Sequence, residues 1–464
     1  MLKSDPSGRD GFTSNLGVIA AAAGSAIGLG NIWRFPYVAG ENGGGAFLFI
    51  YLAFVLAIGI PVMLSEFTIG RSAQRNPIGA FLKLAPGKPW FLIGIFGVFA
   101  AFLILAFYAA VAGWTFEYVY QSLTNSFTGK TNQQLSDMFE GFRSGSIRPV
   151  LWFFVCMVLT AGIVMSGVSK GIEKYTKILM PVLLVILIIL CVRAITLPGA
   201  RDGLAFLFNP ELSKITPETI LKALGQAFFS LSIGMGTLIT YGSYIRKQDN
   251  LGNTAVSVAL ADTFIAILAG VAIFPAVYAL DFAKDIDGFT ENVHEGLVFI
   301  ILPELFQKMT GGYFFAVLFF LLLSVAAVTS TISVLEVVTA YFSEELNMSR
   351  KKATIIAASS ISVLGVFAAA AWSWFSGLTI AEMNVFALLE FTTANLLLPI
   401  GGFFIVIYVG WFMGKKNVRK ELSNEGKLKA RLLAVFMFLV RYIAPVAILL
   451  VFLNSIGALR FLTG

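Results

Sequence analysis

Long apolar stretches separated by short polar connections dominate the chain. A helix needs about 20 apolar residues to cross a bilayer, and several runs exceed about 25 residues, which indicates tilted or bent helices. The pattern predicts an all-α polytopic membrane protein with about eleven spans. The predicted spans begin near Leu16, Ala46, Phe91, Val150, Ile178, Ile220, Val256, Tyr313, Thr354, Val385 and Leu432.

The first apolar run contains a segment, residues 24–36, that is unlike an ordinary membrane helix. Gly28 and Gly30 bracket one leucine, and a glycine inside a helix costs up to about 1 kcal/mol relative to alanine. Arg34 places a charge in the span, at a cost of roughly 2.5–3.5 kcal/mol on insertion scales. Tight helix packing would account for the glycines but leaves Asn31 and Arg34 unexplained. Because irregular backbone at this depth is tolerated where protein buries it or water reaches it, the segment predicts a broken helix and a binding site.

The sixth apolar run has a matching interruption in residues 225–236. Gly234 and Gly236 again bracket one bulky residue, and the hydroxyls of Ser230 and Ser232 precede them. The first and sixth runs each head a group of five, so the second group begins on the opposite side of the membrane. Interrupted segments at matching positions of two inverted halves indicate a transporter with a midplane site. The chain, 1–464, is then one transporter domain with inverted repeats at 16–200 and 215–410 and one additional helix at 432–460.

Charge is sparse and lies in the connections. The chain is 58% hydrophobic and 13% charged, whereas soluble domains carry about 25% charged residues. The net charge is +7. Most lysines and arginines lie in the connections on one side of the predicted bundle, that is, in every second connection, which indicates membrane topology rather than binding to nucleic acid. This distribution places the N-terminus in the cytoplasm and, with an odd number of spans, the C-terminus outside the cell.

The residue types argue against an enzyme. Cys156 and Cys191 lie in apolar runs, and His294 is the only histidine and lies in a polar loop. No nucleophile–base pair or metal cluster is therefore predicted. A ligand-gated channel is a second alternative, but its conduction path should leave a row of repeated filter groups.

Several of these stretches resemble the neurotransmitter:sodium symporters, the LeuT-like proteins. The resemblance is carried by residues 24–36, 41–47, 166–173 and 225–244 and by the pair Thr329 and Ser330. It implies a LeuT-like 5+5 inverted repeat with broken first and sixth helices, followed by one further helix. Ending after eleven spans resembles bacterial members, which implies a multi-pass protein of the bacterial inner membrane, a monomer or weak dimer.

Broken helices suit a zwitterion and its accompanying cations. Sodium takes oxygen ligands, and half-helix N-termini offer N–H groups and positive dipole ends to a carboxylate. The resemblance implies two sodium ions and a free L-amino acid in the bilayer-embedded site. The first sodium site comprises Ala26, Asn31, Ser230 and Asp262. The second sodium site comprises Gly24, Ile27, Ala326, Thr329 and Ser330.

The substrate side chain is expected in a largely apolar pocket. Met235 stands where a leucine-selective family member has phenylalanine, and methionine favours contact with rings; a larger, aromatic substrate is expected, with tyrosine favoured. Tyr108 is expected to bond the substrate carboxylate. The implied substrate-binding residues are Ser25, Ala26, Gly28, Leu29, Gly30, Ile104, Tyr108, Phe229, Ser232, Met235, Ser330 and Val334.

Charged and aromatic residues at the two ends of the site are interpreted as gates. The outer gate comprises Arg34, Gln226 and Asn384. The family often has an aspartate where Asn384 stands, so a bond to Asn384, a reach to Glu382 or a water bridge all remain open. The inner gate comprises Arg9, Phe12, Tyr244 and Glu344.

Three further expectations concern single residues. Asp262 is the only acid of the seventh span, and its fixed charge suggests transport independent of chloride. Glu66 is expected to hold the loose ends of the broken helices. Gly171 and Pro181 weaken the fifth span, which predicts unwinding there when the inner side opens, with a static proline kink as the alternative.

Proton-coupled amino-acid transport is the nearest rival function, and its candidate carboxylates are Asp262, Glu66, Glu336 and Glu390.

Overall fold

The computed structural model describes residues 10–279, 297–430 and 432–459. Within these ranges, nine helices are long and apolar enough to cross a membrane. They are Gly45–Ala73, Phe91–Leu123, Arg148–Met165, Val168–Ile195, Leu251–Ala279, Gly312–Glu345, Arg350–Ala369, Val385–Leu422 and Leu433–Ser455. A tenth span is the bent pair Asn15–Ala26 and Gly30–Glu41.

The eleventh predicted span is the sixth in order, and it is broken. Its halves are Pro217–Ser230 and Thr237–Tyr244, and neither is long enough to span alone. The broken first and sixth segments are therefore confirmed, and within the described ranges these two segments and the nine long helices correspond to the eleven predicted spans.

The two groups of five correspond in length as well as in order. The third and eighth spans have 33 and 34 residues, and the fourth and ninth have 18 and 20. The third and eighth spans also pack against each other along their length. Their buried faces include small residues such as Ala109 and Ala327, which let the two helices approach closely beside the broken segments.

Large apolar side chains cover the outer surface of the bundle. Val158 is 71% exposed and Phe264 53% exposed. In water such a surface would be an association site, whereas in a bilayer it contacts lipid tails. The interior is equally apolar, and this explains why the long helices have no strongly one-sided sequence pattern.

Shorter elements connect the spans. Asn132–Arg143 begins with a capping box made by Thr131 and Gln134. The others are Pro77–Leu84, Ala200–Phe208, Leu212–Lys214, Leu297–Ile301 and Leu302–Lys308, and a hairpin pairs Thr379–Ile380 with Met383–Asn384. Single π-helical turns interrupt several spans, at Val55–Gly59, Val168–Glu173, Thr392–Leu397, Tyr408–Met413 and Leu439–Ile443.

The two ends of the bundle differ in what they carry. Residues 10–14, 166–177, 245–250 and 344–350 meet at one end, which we call the N-terminal face. Arg34 and the hairpin lie towards the other end. The polar loop that contains His294 lies outside the described residues.

Candidate functional site

The first span breaks where the sequence pairs glycines. Asn15–Ala26 ends at Ile27, whose ψ of 95° leaves the helical region, and the helix resumes at Gly30 with a bend of 56°. A Cβ added to Gly28 would lie 2.6 Å from Ser330 Oγ and 2.9 Å from Tyr108 Oη. Glycine is required at Gly28 because side chains of the third and eighth spans touch the open backbone.

The sixth span breaks over six residues between Ser230 and Thr237. Ser232, Gly234 and Gly236 have φ values of 54°, 87° and 76°, a conformation that glycine adopts without the penalty of a Cβ. The Gly234 amide donates to Glu66 Oε1 at 2.8 Å. Glu66 is fully buried and so holds one loose end of this break.

Replacing Glu66 by leucine is expected to destabilise the protein by about 1–3 kcal/mol, because the buried Gly234 N–H loses its acceptor. Glu66→Gln keeps an oxygen at the same place and should lie much closer to the unchanged protein. The measurement is the apparent unfolding midpoint of the purified protein in detergent. Equal midpoints for the leucine and glutamine variants would contradict this role.

Three buried polar side chains meet between the two breaks. Asn31 Nδ2 donates to Asp262 Oδ1 at 2.7 Å and to Ser230 Oγ at 3.1 Å. The Ser230 hydroxyl donates to Asp262 Oδ2 at 2.7 Å, and Asn31 Oδ1 accepts from the Gly28 amide at 3.2 Å. The structure thus brings together Asn31, Ser230 and Asp262 of the predicted first sodium site, beside the cavity that Ala26 lines.

The predicted second sodium site lies where the first span meets the eighth. Thr329 Oγ1 donates to the Ala326 carbonyl at 2.9 Å, and Ser330 Oγ lies 3.2 Å from the same oxygen. Ser330 Oγ is also 3.4 Å from the Ser25 carbonyl. A Cβ added to Gly24 would lie 3.5 Å from Thr329 Cβ. The hydroxyls and carbonyls that a hard cation prefers are therefore close together, with Ile27 at the helix end beside them.

A central cavity of about 70 Å³ lies between the broken helices. Eleven of the predicted substrate-binding residues line it: Ser25, Ala26, Gly28, Gly30, Ile104, Tyr108, Phe229, Ser232, Met235, Ser330 and Val334. Leu29 instead lines a second cavity towards Arg34, and its amide donates to Tyr108 Oη at 3.2 Å.

The cavity also has lining residues that were not predicted. They are Phe107, Ser230, Glu390, Thr393, Ala394 and Leu398. Four of them come from the tenth span, where the π-helical turn Thr392–Leu397 interrupts the helix. The sequence does contain one indication that this part of the tenth span faces a cavity: the polar residues Glu390 and Thr393 interrupt an apolar run.

A larger cavity of about 450 Å³ lies beyond Phe229. The Arg34 guanidinium lies 4.4 Å from the centre of the Phe229 ring and interacts electrostatically with Glu390. Gln226 Nε2 donates to the Gly30 carbonyl at 3.1 Å, which ties the two broken helices together above the central cavity.

Asn384, a predicted outer-gate residue, caps a helix. Its Oδ1 accepts from the Ala387 amide at 2.9 Å and caps the helix Val385–Phe391. An asparagine that ends a hairpin and begins a helix is held by this local bond. Glu390, about one and a half turns further along, is the acid that the structure places near Arg34.

The predicted inner gate lies partly outside the described residues, because Arg9 precedes them. Phe12 packs edge-on against Tyr241 and Tyr244, with ring centres 5.6 Å and 6.0 Å apart. The Tyr244 hydroxyl donates to Glu336 at 2.6 Å. Glu344 accepts from the Asn76 amide at 2.7 Å, so it is engaged with the segment after the second span.

Arg71 is a buried cation near the end of the second span. The second span continues to Ala73, and the Arg71 side chain is 1% exposed and pairs with Glu421 at 3.0 Å. It also donates to the Asp249 carbonyl at 2.6 Å and to Asn424 Oδ1 at 3.0 Å. Burial of a charge requires such partners, and they come from two distant connections.

The N-terminal segment is fixed to the fifth span. Glu173 accepts from the Thr13 amide and hydroxyl at 2.7 Å and 2.8 Å and from Ser14 Oγ at 2.8 Å. Lys177 pairs with the same carboxylate at 2.5 Å. The fifth span is helical through Gly171 and Pro181, and its unwinding remains a prediction.

Two interrupted helices around a central cavity, in a bundle of apolar spans, define a secondary transporter with a midplane site. A model of the sodium:neurotransmitter symporter family matches residues 9–138 and 127–463. The chain belongs to this family, and it is a sodium-dependent symporter rather than an enzyme.

Relatives and a solved structure agree along nearly the whole chain. An uncharacterised sodium-dependent transporter of Bacillus subtilis, YhdH, is 37% identical over 450 residues, which are 97% of this chain and 98% of the relative. A similar transporter of Haemophilus influenzae is 34% identical over 459 residues, again 97% and 98% of the two chains. The crystal structure of MhsT in complex with L-phenylalanine has a TM-score of 0.86 at 44% identity and covers 97% of this chain and 100% of MhsT. The predicted family and LeuT-like fold are confirmed.

Proposed function

We propose that this protein couples sodium entry to the uptake of hydrophobic, preferably aromatic, L-amino acids by alternating access, with tyrosine favoured. The observation that carries the proposal is the two-sided character of the central cavity. One side offers the broken backbone at Gly28, Gly30 and Ser232, and the other offers Ile104 and Met235. A zwitterion with an apolar side chain matches this division.

The polar side receives the amino acid's charged groups. The carboxylate would meet the Gly30 amide and share the Gly28 amide with Asn31 Oδ1, and the ammonium would meet carbonyls near Phe229 and Ser232. Half-helix N-termini attract anions and helix C-terminal ends attract cations. The bound carboxylate would itself complete the oxygen set of Ala26 and Asp262 around the first sodium ion.

The apolar side favours a ring. Phe107, Ile104, Val334 and Leu398 are apolar, and Met235 supplies a flexible thioether. The bound L-phenylalanine of MhsT, a chain 44% identical to this one, supports an aromatic side chain in this space. Thr393 and Glu390, which also line the cavity, offer polar groups for the hydroxyl of tyrosine.

Two sodium ions are proposed, one at each oxygen cluster. Each charge that moves down a membrane potential of 100 mV releases roughly 2.3 kcal/mol. At roughly 1.4 kcal/mol per decade this is about a fifty-fold accumulation per ion. Two ions can therefore drive a neutral zwitterion steeply uphill.

Independence from chloride is proposed from Asp262. Its carboxylate is fully buried and accepts from both Asn31 and Ser230. The Tyr51 hydroxyl lies 3.5 Å from Ser230 Oγ, so hydroxyl and amide groups surround this fixed negative charge. A mobile anion is then unnecessary to balance the sodium ions.

The proposed location is the bacterial inner membrane, with the N-terminal face towards the cytoplasm.

The deciding experiment measures binding of radiolabelled L-tyrosine and L-phenylalanine to the purified protein. Saturable binding in sodium that is lost when potassium replaces sodium is expected, at constant pH and without chloride. L-alanine, which lacks a large side chain, serves as the weakly competing control. Binding that ignores sodium but follows pH would instead support the proton-coupled alternative and overturn the proposal.

A further inference from the structure

The end of the tenth span and the connection from it to the last span are strongly basic. Residues 414–433 contain seven lysines and arginines and two acids, Glu421 and Glu425. Gly414–Leu422 is helical, and the last span resumes at Leu433. This segment is the densest group of cations in the chain, and the proposed transport site does not use it.

The two acids are already paired. Glu421 accepts from Arg71 Nε and Lys247 Nζ, each at 3.0 Å. Glu425 lies 3.8 Å from Lys420. The remaining lysines and arginines of the segment therefore keep an excess of positive charge at the surface.

Part of this charge surrounds a cavity of about 530 Å³. Lys415 and Arg419 line it from the helix, and Lys429 lines it from the following turn. All three side chains belong to exposed residues. Ser423 and Gly426 form the floor, where the Gly426 amide donates to Ser423 Oγ at 2.9 Å. A concave site lined by three cations and a serine hydroxyl suits a phosphate.

The rim of the cavity is apolar and lies at the edge of the membrane-spanning region. Leu428, Ala430 and Leu433 line it. Leu432, just before the last span, is 73% exposed, and Trp411, just before the basic segment, is 57% exposed. Exposed apolar side chains at the ends of two spans lie where acyl chains begin. A ligand here meets cations on one side and lipid on the other.

We propose that this cavity binds the headgroup of an anionic phospholipid, with its acyl chains running along the exposed surface of Leu432 and Val435. Basic pockets beside membrane helices recognise such headgroups, and each lysine or arginine near an anionic surface contributes about 1 kcal/mol, or roughly fivefold in affinity. The apolar rim favours a lipid over free phosphate, because free phosphate would leave that rim unused.

The site is held in place by buried contacts. Asn424 Nδ2 donates to the Gln248 and Asp249 carbonyls at 3.0 Å and 3.1 Å, and its Oδ1 accepts from Arg71 at 3.0 Å. The turn that forms the floor is thereby fixed to the second span and to the connection after the sixth. Because this turn is already fixed, binding of a headgroup costs little conformational entropy in the turn.

The test is native mass spectrometry of the full-length purified protein titrated with dioleoyl phosphatidylglycerol or, in parallel, dioleoyl phosphatidylcholine. Phosphatidylglycerol should bind in preference. The double variant Arg419→Gln with Lys429→Gln should bind it at least about tenfold more weakly. Lys351→Gln with Lys352→Gln is the matched control, because both lysines are exposed on the same N-terminal face and the charge change is identical.

Three results would overturn the proposal. They are equal binding of the two lipids, equal loss in the control variant, and displacement of phosphatidylglycerol by micromolar inorganic phosphate, which would indicate a site for the free anion. If the first double variant does not fold, Lys415→Gln alone gives the same comparison. Radiolabelled tyrosine binding in sodium identifies folded protein independently of lipid.

Discussion

Replacing Asp262 by serine is expected to abolish sodium-coupled uptake in chloride-free medium. Asp262 is fully buried and supplies the negative charge beside Asn31 and Ser230. For a carboxylate about 4 Å from a sodium ion, an effective dielectric constant of about 20 gives about 4 kcal/mol, close to a thousandfold in affinity. Serine keeps an oxygen but not the charge, so sodium binding and the substrate binding coupled to it should both fail.

Uptake into sealed vesicles with a sodium gradient measures this effect. Adding chloride should restore part of the Asp262→Ser activity, because a mobile anion can occupy the space and replace the charge. Asp202→Ser is the control, since Asp202 is an exposed acid and the change in net charge is the same. Uptake by Asp262→Ser at the unchanged level without chloride would disprove the assigned role.

Gly28→Ala is expected to weaken substrate binding by roughly tenfold to a hundredfold, the equivalent of about 1–3 kcal/mol of overpacking. The new methyl group would lie 2.6 Å from Ser330 Oγ and 2.9 Å from Tyr108 Oη. Both side chains would have to move, and both line the central cavity. The Gly28 amide, which is proposed to receive the substrate carboxylate, would shift with them.

Gly225→Ala provides the matched control. Gly225 lies within the helix Pro217–Ser230, the first half of the broken sixth span, and a Cβ added there meets nothing within 4 Å. Alanine in a helix is more stable than glycine by up to about 1 kcal/mol, so this variant should fold and bind normally. Equilibrium binding of radiolabelled tyrosine distinguishes the two variants. Equal affinities would mean that Gly28 permits helix packing and lies outside the binding site.

The parts of the site that sequence could predict are those where the backbone departs from a helix. The glycine pairs Gly28/Gly30 and Gly234/Gly236 lower the stability of an apolar helix. Their presence in two apolar runs therefore predicts breaks in those helices. Asp262 was visible for the same reason, as the only acid of its span. Glycine pairs and charged residues in a membrane span are strong indicators of function, because the bilayer core offers no water to solvate the exposed backbone or the charge.

The tenth-span wall was missed because it depends on helix rotation. Leu398 and Ala394 are ordinary membrane residues, and nothing in their identity distinguishes lipid-facing from cavity-facing positions. The π-helical turn Thr392–Leu397 changes which side chains face inward, and a fixed helical period does not anticipate that change. Glu390 was noticed only as a candidate carboxylate.

Arg71 and Asn384 show how tertiary contacts decide the role of a polar residue. Arg71 lies near the polar end of an apolar run, yet contacts more than 170 positions away along the chain bury it. Asn384 was paired with Arg34 from the family pattern, but the hairpin before it makes it a helix cap. Distant partners and local turns of this kind leave no periodic trace in the sequence.

The Phe229 ring borders both the central cavity and the larger one beyond it. Phe107, Tyr108 and Glu390 border both cavities as well, so a small group of side chains separates the two chambers. Rotation of a side chain takes picoseconds to nanoseconds, whereas collective helix movements take microseconds to milliseconds. Movements of these side chains are therefore much faster than movements of the helices, and a bulky molecule lodged in the larger chamber would block them and stop turnover without entering the smaller one.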